Sequence, residues 1–336
     1  MKINKIIFFN TMIMGTMIAA SSYSWMSMWM GLEINLLSVI PLFSESKNIF
    51  SSESAMKYFI TQALASLILL TAVILMLMIE EFINPLLNFS FSMMLNTALL
   101  TKLGAAPMHF WFPEVIEGLN WFNSMILLTW QKIAPMMLIM AMKINFKFLV
   151  FVMISCLVIS TISGFNQISL RKIMAFSSIN HIAWMLSTLM MSFSTWTTYF
   201  MIYSFMNMNI TFIFNQTKSF YLNQMNNVMN QDKTIKFSLL LNFLSLGGLP
   251  PFVGFLPKWL VINWMSNMNM LMIVAFMIVT TLIMLFIYIR VILSSMMLFI
   301  NEPKMPLIKI KKNFLMFSNS LTISSMILCT LVYNVF

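Results

Sequence analysis

The stretch KLGAAP at residues 102–107 interrupts what would otherwise be one long apolar helix. A related stretch, LGGLPP, occupies residues 246–251, so both contain the pattern Leu-Gly-x-x-Pro. A second proline, Pro113 or Pro257, follows each stretch. In a bilayer, an interrupted helix is tolerated only where protein or a water-filled cavity satisfies the freed backbone groups. Two such breaks in matching positions of two halves indicate the ion path of a transporter.

The composition predicts a polytopic membrane protein. The 336 residues are 60% hydrophobic and only 8% charged, and the mean hydropathy is +0.89. Apolar runs recur with short polar gaps along the whole chain, which leaves no room for a soluble domain. The runs are continuous rather than alternating, which excludes a β-barrel. We therefore expect an all-α membrane fold with about 11 transmembrane helices.

The positions of the two breaks divide the predicted helices into repeats. The broken helices are the fourth and the ninth, so five helices form each repeat. An odd number of helices places the second copy upside down relative to the first. We predict a first repeat at residues 1–143, broken near 102–107, and a second, inverted repeat at 144–300, broken near 246–258. A basic loop and one C-terminal helix follow at 301–336.

The net charge of +10 reflects membrane topology rather than nucleic-acid binding. The basic residues lie singly or in small groups between apolar runs, and one side of the membrane collects most of them. That side holds Lys2, Lys5, Lys47, Lys57, Arg171, Lys172, Lys218, Lys233, Lys236, Lys304, Lys309, Lys311 and Lys312. The opposite side holds only Lys143 and Lys147. The N-terminus is thus predicted to face inward and Phe336 outward.

Cysteine and histidine spacing gives no sign of a metal or haem site. Cys156 and Cys329 each stand alone in an apolar run, where packing explains them. No CxxC pair or Cys/His ligand spacing is present. His109 and His181 are too far apart in sequence to suggest a bis-histidine haem.

Five ionisable residues fall inside predicted membrane spans. They are Glu33, Lys102, Lys132, His181 and Lys258. A charge at the centre of a bilayer costs about 2.5–3.5 kcal/mol, and such residues usually mark ion or proton paths. Burial disfavours the charged form of a lysine and a nearby carboxylate favours it, so a buried lysine can exchange a proton near neutral pH. The alternatives are snorkelling for a lysine near a span end, and simple packing for His181.

Five motifs resemble the antiporter-like membrane subunits of mitochondrial respiratory complex I, in an invertebrate-like form. They are MWMGLEINLLSVIPL (28–42), KYFITQALAS (57–66), TKLGAAPMHFWFPEV (101–115), LTWQKIAP (128–135) and SLGGLPPFVGFLPKW (245–259). The resemblance implies two inverted five-helix repeats with discontinuous helices. It also implies that Glu33 and Lys102 form a coupled pair, that Lys132 connects the repeats, and that Lys258 serves the second. His181 would lie between Lys132 and Lys258.

The same resemblance implies a proton-pumping module without redox chemistry of its own. NADH, FMN, iron–sulfur clusters and ubiquinone would bind other subunits of the NADH:ubiquinone reductase. Expected partners are chains 4, 4L and 6, accessory subunits and inner-membrane lipids such as cardiolipin, but no nucleic acid. The chain would cross the mitochondrial inner membrane repeatedly, with its N-terminus and basic loops in the matrix and its C-terminus in the intermembrane space.

Two other functions share these sequence features. A stand-alone Na⁺/H⁺ antiporter subunit of the same fold would contain the same lysines and breaks. A structural membrane spacer would use the charges only to fix helix packing.

Overall fold

The computed structural model describes residues 3–45, 48–80, 85–142, 145–225 and 233–296, together with 319–320 and 322–324. Almost all of the predicted C-terminal helix and the basic loop before it lie outside these residues. The chain divides into two compact units, Met1–Ser155 and Cys156–Phe336. The predicted repeat boundaries at 143/144 and 300/301 stay a prediction.

Most of the described residues form helices. In the first half of the chain these are α1 (Ile3–Ser21), α2 (Trp25–Phe43), α3 (Ile49–Glu80), α4 (Pro85–Leu103), α5 (Trp111–Gly118), α6 (Trp121–Leu128) and α7 (Ile133–Ala141). They continue as α8 (Phe146–Gly164), α9 (Leu170–Leu189), α10 (Phe193–Thr217), α11 (Lys233–Gly247), α12 (Phe255–Asn267) and α13 (Leu271–Met296). An isolated antiparallel bridge joins Ser169 to Tyr221.

Within the described ranges, six helical segments are long and apolar enough to cross a membrane. They are Ile3–Ser21, Trp25–Phe43, Ile49–Met78, Trp121–Ala141, Phe146–Gly164 and Leu271–Leu293. This confirms the all-α membrane class. The segment Trp25–Phe43, which contains Glu33, is a single α-helix from end to end. The total of about 11 spans stays a prediction.

Both predicted breaks are present, and their first half-helices end with the same backbone geometry. Each first half-helix ends in a glycine with positive φ, +73° at Gly104 and +78° at Gly248. The next backbone N–H bonds back to the carbonyl five residues earlier, over 3.0 Å in the first break and 3.4 Å in the second. This is the Schellman arrangement, in which glycine is favoured because it has no Cβ.

The shared geometry corrects the register between the two breaks. The pattern Leu-Gly-x-x-Pro aligns Gly104 with Gly247, but the positive φ values align it with Gly248. In this register Pro107 aligns with Pro251, and Pro113 aligns with Pro257. The two lysines therefore occupy different positions relative to these glycines: Lys102 precedes Gly104, whereas Lys258 follows Gly248.

The membrane-length segment Trp121–Ala141 is not one continuous α-helix. A 3₁₀ turn at Trp130–Lys132 separates α6 from α7. Pro135 has no N–H to bond the carbonyl of Gln131 four residues earlier, so the regular α-helical ladder cannot continue through this turn. The Thr129 hydroxyl also donates to the Met125 carbonyl over 2.7 Å, which competes with the helix.

Small residues bring α1 and α2 into backbone contact. A Cβ added to Gly15 would lie 2.8 Å from the backbone nitrogen of Asn35. A Cβ on Gly31 would lie 2.5 Å from the backbone nitrogen of Ala19. Small residues at a membrane helix interface permit this close approach, and it fixes α2, which contains Glu33, against its neighbour.

Candidate functional site

Glu33 and Lys102 lie in the first unit and interact electrostatically. Lys102 is buried in the last turn of α4. Glu33 is half-buried in the middle of α2, and its Oε1 atom accepts no hydrogen bond. The two side chains are not among the direct ion pairs of the described residues. The predicted pair is thus close enough for the charges to influence each other without contact.

Lys102 lines a small polar cavity. The cavity is lined by Leu32, Asn35, Leu36, Tyr58, Gln62, Lys102, Gln131 and Pro135. Its free space is about that of one water molecule. Polar lining and this size make the cavity suitable for a water that would contact Lys102.

Amide side chains connect the walls of this cavity. Asn35 Nδ2 donates to Gln131 Oε1 over 3.0 Å, and Gln131 Nε2 donates back to Asn35 Oδ1 over 3.1 Å. The Tyr58 hydroxyl also donates to Gln131 Oε1, over 3.3 Å. Gln62 Nε2 donates to the Lys102 carbonyl over 3.3 Å. These bonds link α2, α3, α4 and the 3₁₀ turn.

Lys132 is only 1% exposed and belongs to the 3₁₀ turn. Its Nζ atom lies 5.8 Å from the centroid of the Phe112 ring, within the range of a cation–π contact. Lys132 does not line the Lys102 cavity, whereas its neighbour Gln131 does. The turn thus directs the two adjacent side chains to different surroundings.

The carbonyls freed at the first break are capped by uncharged groups. Trp111 Nε1 donates to the Thr101 carbonyl over 3.1 Å, and Gln62 donates to the Lys102 carbonyl. The Lys102 ammonium is therefore not needed as a helix cap. Lys102 is instead one of the residues that line the polar cavity.

The second break is capped by a lysine instead. Lys258 is buried in the first turn of α12, and its Nζ donates to the carbonyls of Leu246 and Gly247 over 3.1 and 3.0 Å. The same Nζ lies 5.8 Å from the Trp184 ring centroid. Lys258 thus satisfies the last carbonyls of α11, groups that a helix end leaves unbonded.

His181 lies in a buried polar region of α9 and α10. Its Nδ1 atom is 2.9 Å from the Tyr199 hydroxyl, and its ring centroid is 5.0 Å from that of Tyr203. Trp184, which contacts Lys258, follows one turn later on the same face of α9. Further buried polar side chains are Ser177, Ser178 and Asn180 on α9 and Asn207 on α10.

The five predicted residues therefore fall into two groups. Glu33, Lys102 and Lys132 belong to the first unit, and His181 and Lys258 to the second. Sequence reasoning missed the uncharged polar partners, which are Asn35, Tyr58, Gln62, Gln131, Tyr199 and Tyr203. Two of them were visible as polar residues in apolar runs directly beside predicted charges, Asn35 near Glu33 and Gln131 before Lys132. Among the described residues, no cluster of His, Cys, Asp or Glu could hold a metal ion.

Comparisons with known proteins agree with this architecture. The family model described as "NADH:quinone oxidoreductase/Mrp antiporter, TM" matches residues 22–284. The chain is 48% identical to NADH-ubiquinone oxidoreductase chain 2 of Aedes aegypti, over 99% of this chain and 98% of the relative. It is 50% identical to the Anopheles gambiae protein of the same name, over 88% and 87% of the two chains.

Solved structures share the fold at lower identity. A chain of respiratory complex I from Thermus thermophilus with bound aureothin superimposes with a TM-score of 0.85 at 20% identity, over 98% of this chain and 77% of that one. A chain of the Mrp complex from Dietzia sp. gives a TM-score of 0.77 at 15% identity, over 89% and 61%. By its family match and its insect relatives, the chain belongs to the NADH:quinone oxidoreductase/Mrp antiporter membrane family and, within it, to the NADH-ubiquinone oxidoreductase chain 2 family.

Proposed function

We propose that this chain is a core membrane-arm subunit of respiratory complex I and conducts protons through Glu33, Lys102, Lys132, His181 and Lys258. The observation that carries the proposal is the polar cavity at Lys102, beside a broken helix and within reach of the Glu33 charge. A buried ammonium, a nearby carboxylate and space for water are the requirements of a proton relay.

The chemistry in the first unit follows from electrostatics. An ionised Glu33 favours the protonated form of Lys102, and loss or neutralisation of that charge favours release of the proton. Lys132 is the next acceptor in the same unit. Transfer onward to His181 and Lys258 in the second unit is part of the proposal. Moving one proton against 100 mV requires about 2.3 kcal/mol, which redox chemistry in other subunits would supply.

The finer features of the proposal follow from family membership and charge distribution. NADH, FMN, iron–sulfur clusters and ubiquinone would bind other subunits. Chains 4, 4L and 6, accessory subunits and cardiolipin would be neighbours in the mitochondrial inner membrane. The N-terminus and the basic loops would face the matrix and the C-terminus the intermembrane space. Two inverted five-helix repeats and a final helix would complete about 11 spans.

The test replaces Lys102 with methionine in the assembled complex, reconstituted in liposomes. We expect NADH oxidation to persist in uncoupled vesicles, while the number of protons translocated per NADH falls. Lys57→Met is the matched control, because Lys57 is partly exposed and pairs with Glu53 and Glu114 over 3.0 and 3.1 Å. Unchanged pumping in Lys102→Met would refute the relay and favour the structural spacer.

A stand-alone Na⁺/H⁺ antiporter subunit is the second candidate, since the fold is shared with a chain of an Mrp complex. The two functions differ in their companions. A complex I subunit copurifies with NADH:ubiquinone reductase activity and an antiporter subunit does not. Affinity purification of the chain followed by a rotenone-sensitive NADH oxidation assay separates them.

A further inference from the structure

The pairing of Asn35 with Gln131 stands out among the uncharged contacts of the first unit. The two amides bond each other in both directions, and Gln131 Oε1 accepts a second bond from Tyr58. Asn35 is 4% exposed, and the partners are 96 residues apart in sequence. Inside a protein such a network is strong when every member is satisfied and costly when one is removed.

The pair joins the elements that hold the charged residues. Asn35 follows Glu33 by two residues on α2, and Gln131 immediately precedes Lys132 in the 3₁₀ turn. Both amides line the cavity that contains Lys102. The amide pair is thus a direct side-chain contact between α2 and the 3₁₀ turn, close in sequence to Glu33 on one side and to Lys132 on the other.

Amides suit this task because they do not titrate. A carboxylate or an ammonium could form an equally short bond between α2 and the turn. It would also add a charge beside Lys102 and compete with Glu33 for control of the lysine. A reciprocal amide pair fixes geometry with no net charge, since each amide supplies one donor and one acceptor.

We propose that the Asn35–Gln131 amide pair, held by Tyr58, is a positioning element that sets the electrostatic coupling between Glu33, Lys102 and Lys132. The proposal rests on the proton-conducting function proposed above. Neither amide takes up or releases a proton in the proposed conduction. Their role is to hold the carboxylate and the two lysines at working separations while the complex turns over.

The test exchanges the two amides between their positions. Asn35→Gln lengthens one partner and Gln131→Asn shortens the other, so each single variant mismatches the pair. The double variant Asn35→Gln/Gln131→Asn restores the combined length. We expect each single variant to lower the protons translocated per NADH while NADH oxidation persists. We expect the double variant to recover most of the loss, because substitutions of residues in contact have coupled rather than additive effects.

A control shortens another amide of the same type. Gln167→Asn removes a methylene from a side chain that donates to the Ser163 carbonyl, and it should leave pumping unchanged. Parental pumping in both single variants, or a double variant no better than the worse single one, would overturn the proposal. If a single variant prevents assembly, the double variant decides: an assembled, pumping double variant supports the positioning role and an unassembled one refutes it. Loss of pumping in Lys102→Met with normal pumping in the single variants would remove only this inference and leave the proton-conducting function standing.

Discussion

The substitution Gly248→Ala tests the second break at its glycine with positive φ. Gly248 has φ of +78°, a region that costs an alanine about 1–2 kcal/mol. A Cβ there would also lie 2.8 Å from Cδ of Lys258 and 2.9 Å from its Nζ. Because those distances are below normal contact, the lysine side chain has to move away from the two carbonyls that it caps.

The expected effect has two measurable parts. Strain of about 1–2 kcal/mol corresponds to a factor of roughly 5–30 in a folding equilibrium. We therefore expect thermal inactivation of the assembled complex to accelerate by up to about that factor. Displacement of Lys258 should in addition lower the protons translocated per NADH at a temperature where the complex is intact. Inactivation half-lives and pumping ratios in liposomes measure the two parts separately.

The adjacent glycine provides the matched control. Gly247 is the last residue of α11, and an added Cβ would meet only the side chain of Leu285, 3.1 Å away at Cδ1. A flexible aliphatic end can shift, and the backbone of Gly247 lies outside the left-handed region that alanine avoids. Gly247→Ala should thus behave like the parent. Equal damage from both substitutions, or none from Gly248→Ala, would refute the account of the break.

Two further substitutions test other contacts. Tyr199→Phe removes the hydroxyl that bonds His181 over 2.9 Å. We expect a loss of stability of about 1–3 kcal/mol, measured as faster thermal inactivation, together with reduced pumping. Tyr221→Phe, at an exposed position, should show neither effect. Gly31→Ala places a Cβ 2.5 Å from the backbone nitrogen of Ala19, so α1 and α2 must separate at a cost of about 1–3 kcal/mol. We expect a reduced yield of assembled complex on native gels. A yield equal to that of the parent would contradict the predicted clash.

Local sequence signals were sufficient for the two main breaks. Glycine and proline end helices by properties of their own backbone, so KLGAAP and LGGLPP could be identified without knowledge of any neighbour. The Lys102 and Lys258 positions followed from charge in an apolar run. The exact register did not, because the repeated pattern Leu-Gly-x-x-Pro points to Gly247, whereas the positive φ lies at the adjacent Gly248.

The features that sequence reasoning missed depend on distant partners. Pro135 alone does not predict a 3₁₀ turn, since proline is tolerated in the first turn of a helix. The Asn35–Gln131 bond joins residues 96 positions apart, and each is an ordinary polar residue within its own span. Such pairs form through tertiary packing of α2 against the turn, for which a single sequence offers no local pattern.

The matching ends of the two first half-helices make the difference between their lysines informative. At the first break, Gln62 and Trp111 satisfy the freed carbonyls, so a proton lost from Lys102 leaves the helix end intact. At the second, Lys258 itself holds the carbonyls of Leu246 and Gly247. Loss of its proton removes the charge that strengthens both bonds and weakens the end of α11. Deprotonation of Lys102 therefore leaves the end of its half-helix intact, whereas deprotonation of Lys258 weakens the end of α11. Lys102, the lysine influenced by Glu33, is thus the one that can change its protonation state without disturbing the backbone of its break.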